Sequence, residues 1–139
     1  MTIRFLLDTN VLSEPVRPFP HPGVLLKLRE HREDVATAAL VWHELLFGYE
    51  RLPPSRKRAA IESYVLRTVR ASIPVLSYDQ AAAEWHAVER ARLTAAGKTP
   101  PFVDGQIAAI AKVNNLVLVT SNRAHFEPFE GLEIQDWKE

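Results

Sequence analysis

The sequence predicts an α/β fold: a small parallel sheet flanked by helices on both faces. Three observations carry this. Short runs that are apolar at consecutive positions, such as Leu116-Val117-Leu118-Val119, are the pattern of strands buried on both faces. These runs alternate with helix-length segments of helical spacing, the order that gives parallel strands joined by helical crossovers. The length of 139 residues, with 47% hydrophobic and 24% charged, suits one domain with its own core and excludes disordered and collagen-like chains.

Taken in order, Ile3-Arg4-Phe5-Leu6-Leu7 is a first buried strand, and Asp8-Thr9-Asn10 stops it as a polar turn. Four prolines between Pro15 and Pro22 predict a surface loop, and Gly23 to His31, with Leu25, Leu26 and Leu28, a short amphipathic helix. Val35-Ala36-Thr37-Ala38 is a second strand, followed by a helix over Leu40 to Arg51 with Val41, Leu45, Phe47 and Gly48 at helical spacing. Pro53-Pro54 breaks that helix, and Ser55 is an N-cap for the next, which runs to about Ala71. Ile73 to Leu76 is a third strand. Asp79 caps a long helix that ends near Gly97, where glycine commonly stops helices. Phe102 to Asn114 is another helix, Leu116 to Thr120 the clearest strand, and Leu132 to Ile134 a weak last one. No internal repeat, low-complexity segment or domain boundary interrupts this order.

Composition narrows the function. Seventeen basic residues balance seventeen acidic ones, so attraction to nucleic acid must come from a local patch. The absence of cysteine excludes disulfide frameworks, iron–sulfur clusters, thiolate zinc sites and cysteine nucleophiles. The N-terminal apolar run is too short for a signal peptide, and no stretch approaches a membrane span, so a cytoplasmic location is expected.

In open parallel α/β sheets, ligands bind at the carboxyl ends of the strands. Asp8 follows the first strand. Glu44 lies near the start of the helix after the second, and Asp104 in the first turn of the helix leading to the Leu116 strand. Each has a structural reading, as a turn former or as a carboxylate favoured by a helix dipole. Their apolar company argues otherwise: Leu45-Leu46-Phe47 beside Glu44, and Phe102, Val103 and Ile107 around Asp104, predict that both are partly buried. Buried carboxylates need a cation or hydrogen-bond donors to stay charged, and a hard divalent ion is one such solution.

Leu6-Leu7-Asp8-Thr9-Asn10-Val11-Leu12, Trp42-His43-Glu44-Leu45 with Gly48, Asp104-Gly105-Gln106-Ile107-Ala108 and Leu118-Val119-Thr120-Ser121-Asn122 together resemble the four signatures of a PIN-domain ribonuclease. More narrowly, they resemble the VapC-type toxins of bacterial toxin–antitoxin pairs. The resemblance runs in register over nearly the whole chain, down to Gly131-Leu132 and Asp136-Trp137. It implies one PIN domain over residues 1–139, a three-layer α/β/α sandwich, and an endoribonuclease dependent on Mg2+ or Mn2+. Asp8, Glu44 and Asp104 fall on the family's main metal-ligating acids, and Thr9, Asn10, Thr120 and Ser121 on polar supports around them. The position of the family's frequent fourth acid is Asn122, which adds no charge and so weakens the case for a second metal. His125-Phe126 stands where many members have Asp before Phe. The implied mechanism is metal-activated water attack leaving a 3′-hydroxyl and a 5′-phosphate. The implied partners are an RNA substrate, a cognate antitoxin and a second copy in a homodimer, with no membrane.

Other features compete less well. His43-Glu44 lacks the second histidine of an H-E-x-x-H zinc site. Trp85-His86 reads as packing plus a surface imidazole, while His125 falls near the presumed site. Arg51, Arg56, Lys57, Arg58, Arg67 and Arg70 face only Glu62 as an acid within twenty residues. Such a run is commonly a solvated helix face, but in a nuclease it also suits an RNA backbone. Trp42, Phe47, Tyr49 and Tyr64 belong mostly to the core, and any exposed surplus on these helices forms a groove for an antitoxin segment. Two alternatives stay open beside the toxin: an RNA-processing nuclease without an antitoxin, and a PIN-like binding module that has lost catalysis.

Overall fold

The structure, a computed structural model, describes residues 2–139. Strands β1 (Phe5–Leu7), β2 (Val35–Ala38), β3 (Val75–Leu76), β4 (Val117–Val119) and β5 (Ile134–Gln135) form one sheet in the order β3-β2-β1-β4-β5. Every pairing is parallel, and Leu6 in the centre lies opposite Ala36 on one side and Leu118 on the other. All three residues are fully buried, as strands covered on both faces require.

The helices are α1 (Thr9–Leu12), α2 (Pro22–Glu30), α3 (Ala39–Glu50), α4 (Arg56–Ser63), α5 (Arg70–Ser72), α6 (Gln80–Ala95), α7 (Phe102–Val113) and α8 (Arg123–Phe126). In this strand order, crossovers of the usual right hand place the helices between β1 and β3 on one face and those after β3 on the other. The α/β fold with flanking helices is therefore the one expected from the sequence. Among the described residues no helix is long and apolar enough to cross a membrane.

The chain winds from β1 outward to β3, then jumps back across the sheet to β4 and β5. Strand order reverses between β1 and β4, and the carboxyl ends of these two strands flank the crevice where such folds bind ligands. Helix α7, whose Ile107-Ala108-Ala109-Ile110-Ala111 run is entirely buried, passes against β4 and fixes that crevice from one side.

Several capping expectations hold. Ser55 Oγ accepts from Arg58 N at 3.1 Å, and Asp79 Oδ1 from Ala82 N at 2.9 Å. Gly97, at φ +71°, ends α6. Lys98 N donates to Leu93 O and Gly97 N to Thr94 O, a pair of bonds that satisfies the last carbonyls of a helix.

Other expectations need correction. Asp8-Thr9-Asn10 is not a free turn: Asp8 caps α1, which begins at the next residue. The proline segment is not wholly a loop, because Glu14–Val16 form a 3-10 turn. Glu14 is buried and accepts from Arg17 Nη1 at 2.8 Å and from the backbone of His21 at 2.7 Å. Helix α2 starts one residue early because Pro22 suits the first helical position and the His21 ring caps it. The third strand shrinks to an edge pair, Val75 exposed and Leu76 partly buried, and the last shifts to Ile134–Gln135, where Leu118 N donates to Glu133 O and Thr120 N to Gln135 O.

The helix from Ser55 continues through a π-helical stretch, Tyr64–Val69, before α5. This wider turn accompanies a long-range bond from Tyr64 Oη to Leu12 O at 2.7 Å, which holds the last carbonyl of α1. Burial pushes the Tyr64 phenol from the ordinary 10.0 up to about 12. Its neutral form is favoured by folding, so this contribution is complete below about pH 10 and is lost as pH rises through about 12. Tyr64→Phe is expected to cost about 1–2 kcal/mol by orphaning the Leu12 carbonyl. The variant should show a lower urea midpoint at unchanged slope and a flatter alkaline limb of stability against pH.

Candidate active site

Asp8 sits at the carboxyl end of β1 and is only 7% exposed. Its Oδ1 accepts from Thr9 N at 2.8 Å. Its Oδ2 accepts from Thr120 Oγ1 at 2.8 Å and from Asn10 Nδ2 at 3.4 Å. Thr120, fully buried at the end of β4, also receives Asn122 N at 3.0 Å and Asn10 Nδ2 at 3.4 Å. Asn10 Oδ1 in turn accepts from Ser121 N at 3.0 Å. One network thus ties β1, α1 and the turn after β4 around a single carboxylate.

Asp104 occupies the first turn of α7, half-buried. Burial pushes its carboxyl above the ordinary range, and the charge of Asp8 pushes it the same way; His125 opposes both. The two carboxylates are therefore close enough to repel. His125, on α8, brings Nδ1 to 3.4 Å from Asp104 Oδ2.

Glu44 behaves differently from the expectation. Its side chain is 52% exposed, with His43 Nδ1 at 3.7 Å. Helix α3 buries Val41, Leu45 and Tyr49, a spacing of four that turns its neighbour Glu44 outward. Among the described residues, no group of three or more His, Asp or Glu converges closely enough to hold a metal ion. The fold brings Asp8 and Asp104 near each other and leaves Glu44 exposed on α3.

The supports fare better than the third acid. Asn10 and Thr120 touch Asp8 directly, while Thr9, Ser121 and Asn122 contribute through their backbone N–H groups. The basic segment is divided. Arg58 is tied back, its Nη1 donating to Leu52 O at 2.8 Å, while Arg51, Arg56 and Lys57 are exposed. Phe47 is also exposed, at 53%, although the sequence pattern assigns most of that aromatic set to the core.

Sequence reasoning missed the role of His86, which is buried and not a surface imidazole. Tyr78 Oη lies 2.8 Å from its Nδ1, and the Phe102 ring packs 4.9 Å away. An added Cβ on Gly105 would come within 2.2 Å of His86 Nε2. The glycine after Asp104 therefore lets α6 and α7 approach closely, and the His-Gly contact sets where Asp104 stands. A histidine and a glycine nineteen positions apart carry no local signal of such a contact.

The residues present fit a divalent cation. Asp8 is buried with only neutral donors around it, and no described cation lies within ion-pair distance. Asp104 is disfavoured as an anion by burial and by Asp8. Two carboxylates at one crevice, Asp8 without an ion-pair partner among the described residues and Asp104 with only His125 beside it, are oxygen donors of the kind a hard ion takes.

Comparison with known proteins agrees with this architecture. The PIN domain family matches residues 5–129. The chain is 32% identical over 136 residues to the tRNA(fMet)-specific endonuclease VapC of Shigella flexneri, covering 97% of this chain and 98% of the relative. In three dimensions it resembles FitAcB from Neisseria gonorrhoeae, with a TM-score of 0.87 and 29% identity, over 96% of this chain and 97% of the other. It likewise resembles DNA-bound VapBC from Salmonella typhimurium, with a TM-score of 0.82 and 29% identity, over 97% and 98% of the two chains. The chain belongs to the PIN-domain family and, within it, to the VapC-type ribonuclease toxins.

Proposed function

We propose that this protein is a Mg2+-dependent endoribonuclease, the toxin of a toxin–antitoxin pair, whose reacting centre is the crevice at Asp8 and Asp104. The observation that carries the reading is the buried Asp8 carboxylate, held by Thr9, Asn10 and Thr120 and near enough to Asp104 for the two charges to repel. Asp8 and Asp104 hold the ion, and the family resemblance adds Glu44, exposed on α3, as the third acid. Bound there, a divalent ion supplies charge stabilisation for the phosphodiester and a more acidic water; Mn2+ has the same oxygen-ligand chemistry.

The chain's own residues prepare that site. Thr120 and Asn10 fix Asp8 Oδ2, and the α1 backbone fixes Oδ1, so the carboxylate is oriented before any ligand arrives. Asn122 adds no charge after β4, which favours a single ion. Arg51, Arg56 and Lys57 supply exposed positive charge for an RNA backbone, with Arg58 held closer to the fold. The relative named as a tRNA(fMet)-specific endonuclease makes structured tRNA the first substrate class to test.

An antitoxin is the expected partner, as in the VapBC and FitAcB complexes. A cavity of about 730 Å³ bordered by Leu12, Leu28, Val35, Tyr64 and Ile73 supports a docking groove between α2 and the π-helical stretch. Helix α3, also expected in that groove, does not border it.

Tightly regulated expression in bacteria tests this reading, with growth and new RNA 5′ ends followed together. Growth arrest with discrete cleavage sites for the wild type, absent for Asp8→Asn and relieved by the co-expressed antitoxin, is the expected result. Healthy cells with intact RNA and abundant folded protein would overturn it.

A further inference from the structure

We propose that Phe19 is a stacking platform for an unpaired base of the RNA substrate, held out at the edge of the crevice by a rigid, proline-flanked loop. The inference rests on the proposed reading that Asp8 and Asp104 mark a ribonuclease centre, and it names the part of the substrate that this loop meets.

Phe19 is 94% exposed, and a lone exposed apolar side chain is ordinary on a protein surface. The loop beneath it, residues 17–21, is not ordinary. Glu14 is buried and closes both ends of that loop: Oε2 accepts from Arg17 Nη1 at 2.8 Å, and Oε1 from His21 N at 2.7 Å. The His21 ring then caps α2, accepting from Gly23 N at 3.1 Å and Val24 N at 3.3 Å. Pro18 and Pro20 flank the phenylalanine. Each fixes its own φ, and Pro20 biases Phe19 itself toward extended backbone. The fold therefore immobilises the phenylalanine that it leaves most bare.

The place of the loop identifies its partner. Asp8 follows β1 and caps α1, and the chain passes through the 3-10 turn into the loop before α2 begins. Helix α2 then runs back to the opposite edge of the sheet, where Asp34 O accepts from Arg4 N and Phe5 N at the start of β1. The loop thus stands at the edge that carries Asp8. Its ring also has open faces, unlike the other exposed phenylalanines. The Phe102 ring has the Arg90 guanidinium at 5.1 Å and the His86 ring at 4.9 Å, and Phe47 has the His43 ring at 6.1 Å.

The surroundings favour RNA over a peptide. Phe19 does not border the apolar cavity between α2 and the π-helical stretch, where an antitoxin segment would lie. Arg17 and Lys138 approach the same Glu14 oxygen, at 2.8 and 3.9 Å. Two cations over one carboxylate leave a surplus positive charge at the foot of the loop, which suits a phosphate backbone. Single-stranded RNA is held by stacking splayed bases on aromatic rings, and every base has a face to offer. A ring already fixed loses little freedom when a base lands on it. Bases inside a duplex are stacked on each other, so Phe19 selects unpaired nucleotides without choosing among the four bases.

The test uses the purified full chain with two probes, a stem–loop RNA and the fully paired duplex of its stem, across wild type, Phe19→Ala, Phe19→Leu and Phe19→Trp. Stem–loop binding in EDTA should weaken by about tenfold in Phe19→Ala, and as much in Phe19→Leu, which keeps apolar bulk but loses the planar face. Phe19→Trp should bind at least as tightly as wild type, and its added emission should be quenched by the stem–loop and not by the duplex. In cleavage, the loss in Phe19→Ala should appear in KM, with kcat changed less than about twofold. Unchanged affinity in Phe19→Ala, or full affinity in Phe19→Leu, overturns the proposal. So does a Phe19→Ala protein that binds RNA normally but no longer retains a co-expressed antitoxin, since the loop then belongs to that interface. Failure of the underlying reading looks different: the wild type would cut no RNA in Mg2+, whatever the emission of Phe19→Trp.

Discussion

Asp104→Asn is expected to abolish RNA cleavage and, measured without divalent ions, to raise the melting temperature. Both effects have one cause. Burial and the nearby Asp8 charge push the Asp104 carboxyl above its ordinary range, against the opposing pull of His125. A carboxyl raised in this way favours folding while protonated; that contribution is present below the ordinary value of 3.8 and is lost as pH rises through the folded value. At neutral pH the ion-free protein therefore carries a cost that asparagine removes. A bound ion removes it in the wild type instead, adding about 1.4 kcal/mol at ten times its dissociation constant. The order of melting temperatures should reverse between EDTA and Mg2+ at pH 7.5, and the EDTA difference should shrink toward pH 4. Cleavage should fall by about 10³-fold or more, because several kcal/mol of transition-state charge stabilisation go with the ligand. Equal melting behaviour of the two proteins in both conditions would remove the electrostatic basis of the site.

Gly105→Ala should be the most damaging single-methyl change in the chain. Helix propensity alone predicts a gain, since alanine is favoured over glycine inside a helix by about 0.5–1 kcal/mol. The new Cβ, however, would stand 2.2 Å from His86 Nε2 and 2.7 Å from Cδ2. That ring is buried and fixed by Tyr78 and Phe102, so it has nowhere to go. Overpacking costs about 1–3 kcal/mol or more, and here it separates α6 from α7 one residue from Asp104. Gly48→Ala supplies the contrast, since nothing lies within 4 Å of the position its new methyl would take, and it should stabilise by about 0.4–1 kcal/mol. Chemical denaturation of both variants reads the opposite signs. His86→Ala combined with Gly105→Ala should recover part of the loss by vacating the clash.

Legibility in the sequence follows the range of the forces. Strands β1, β2 and β4 are readable because a strand buried on both faces must be apolar throughout, and Leu6, Ala36 and Leu118 meet that condition together. Caps at Ser55 and Asp79 are readable because the side chain bonds a backbone group three residues away. Helix α1 is not, because Asp8 both follows a strand directly and caps the helix. The four residues of α1 are too few for a periodic pattern. Asp8 and Asp104, on which the proposed site rests, are legible as candidates from their place after a strand and in a first turn. The burial expected of Glu44 fails because apolar neighbours in sequence lie about 100° apart around a helix. The contacts that set the site most firmly are long-range: Thr120 to Asp8 across the sheet, Tyr64 to Leu12, and His86 to Gly105. No local pattern records any of them.

Cleavage of a structured RNA by the purified protein tests the central claim most directly, with wild type and Asp8→Asn prepared identically and assayed in Mg2+, in EDTA, and after Mg2+ is restored. The account predicts discrete cuts by the wild type only in Mg2+, silenced by EDTA, recovered on restoration, and leaving 5′-phosphate ends. Asp8→Asn, folded as judged by circular dichroism, should show none of them. Cleavage that persists in EDTA, or that Asp8→Asn performs equally, would contradict it.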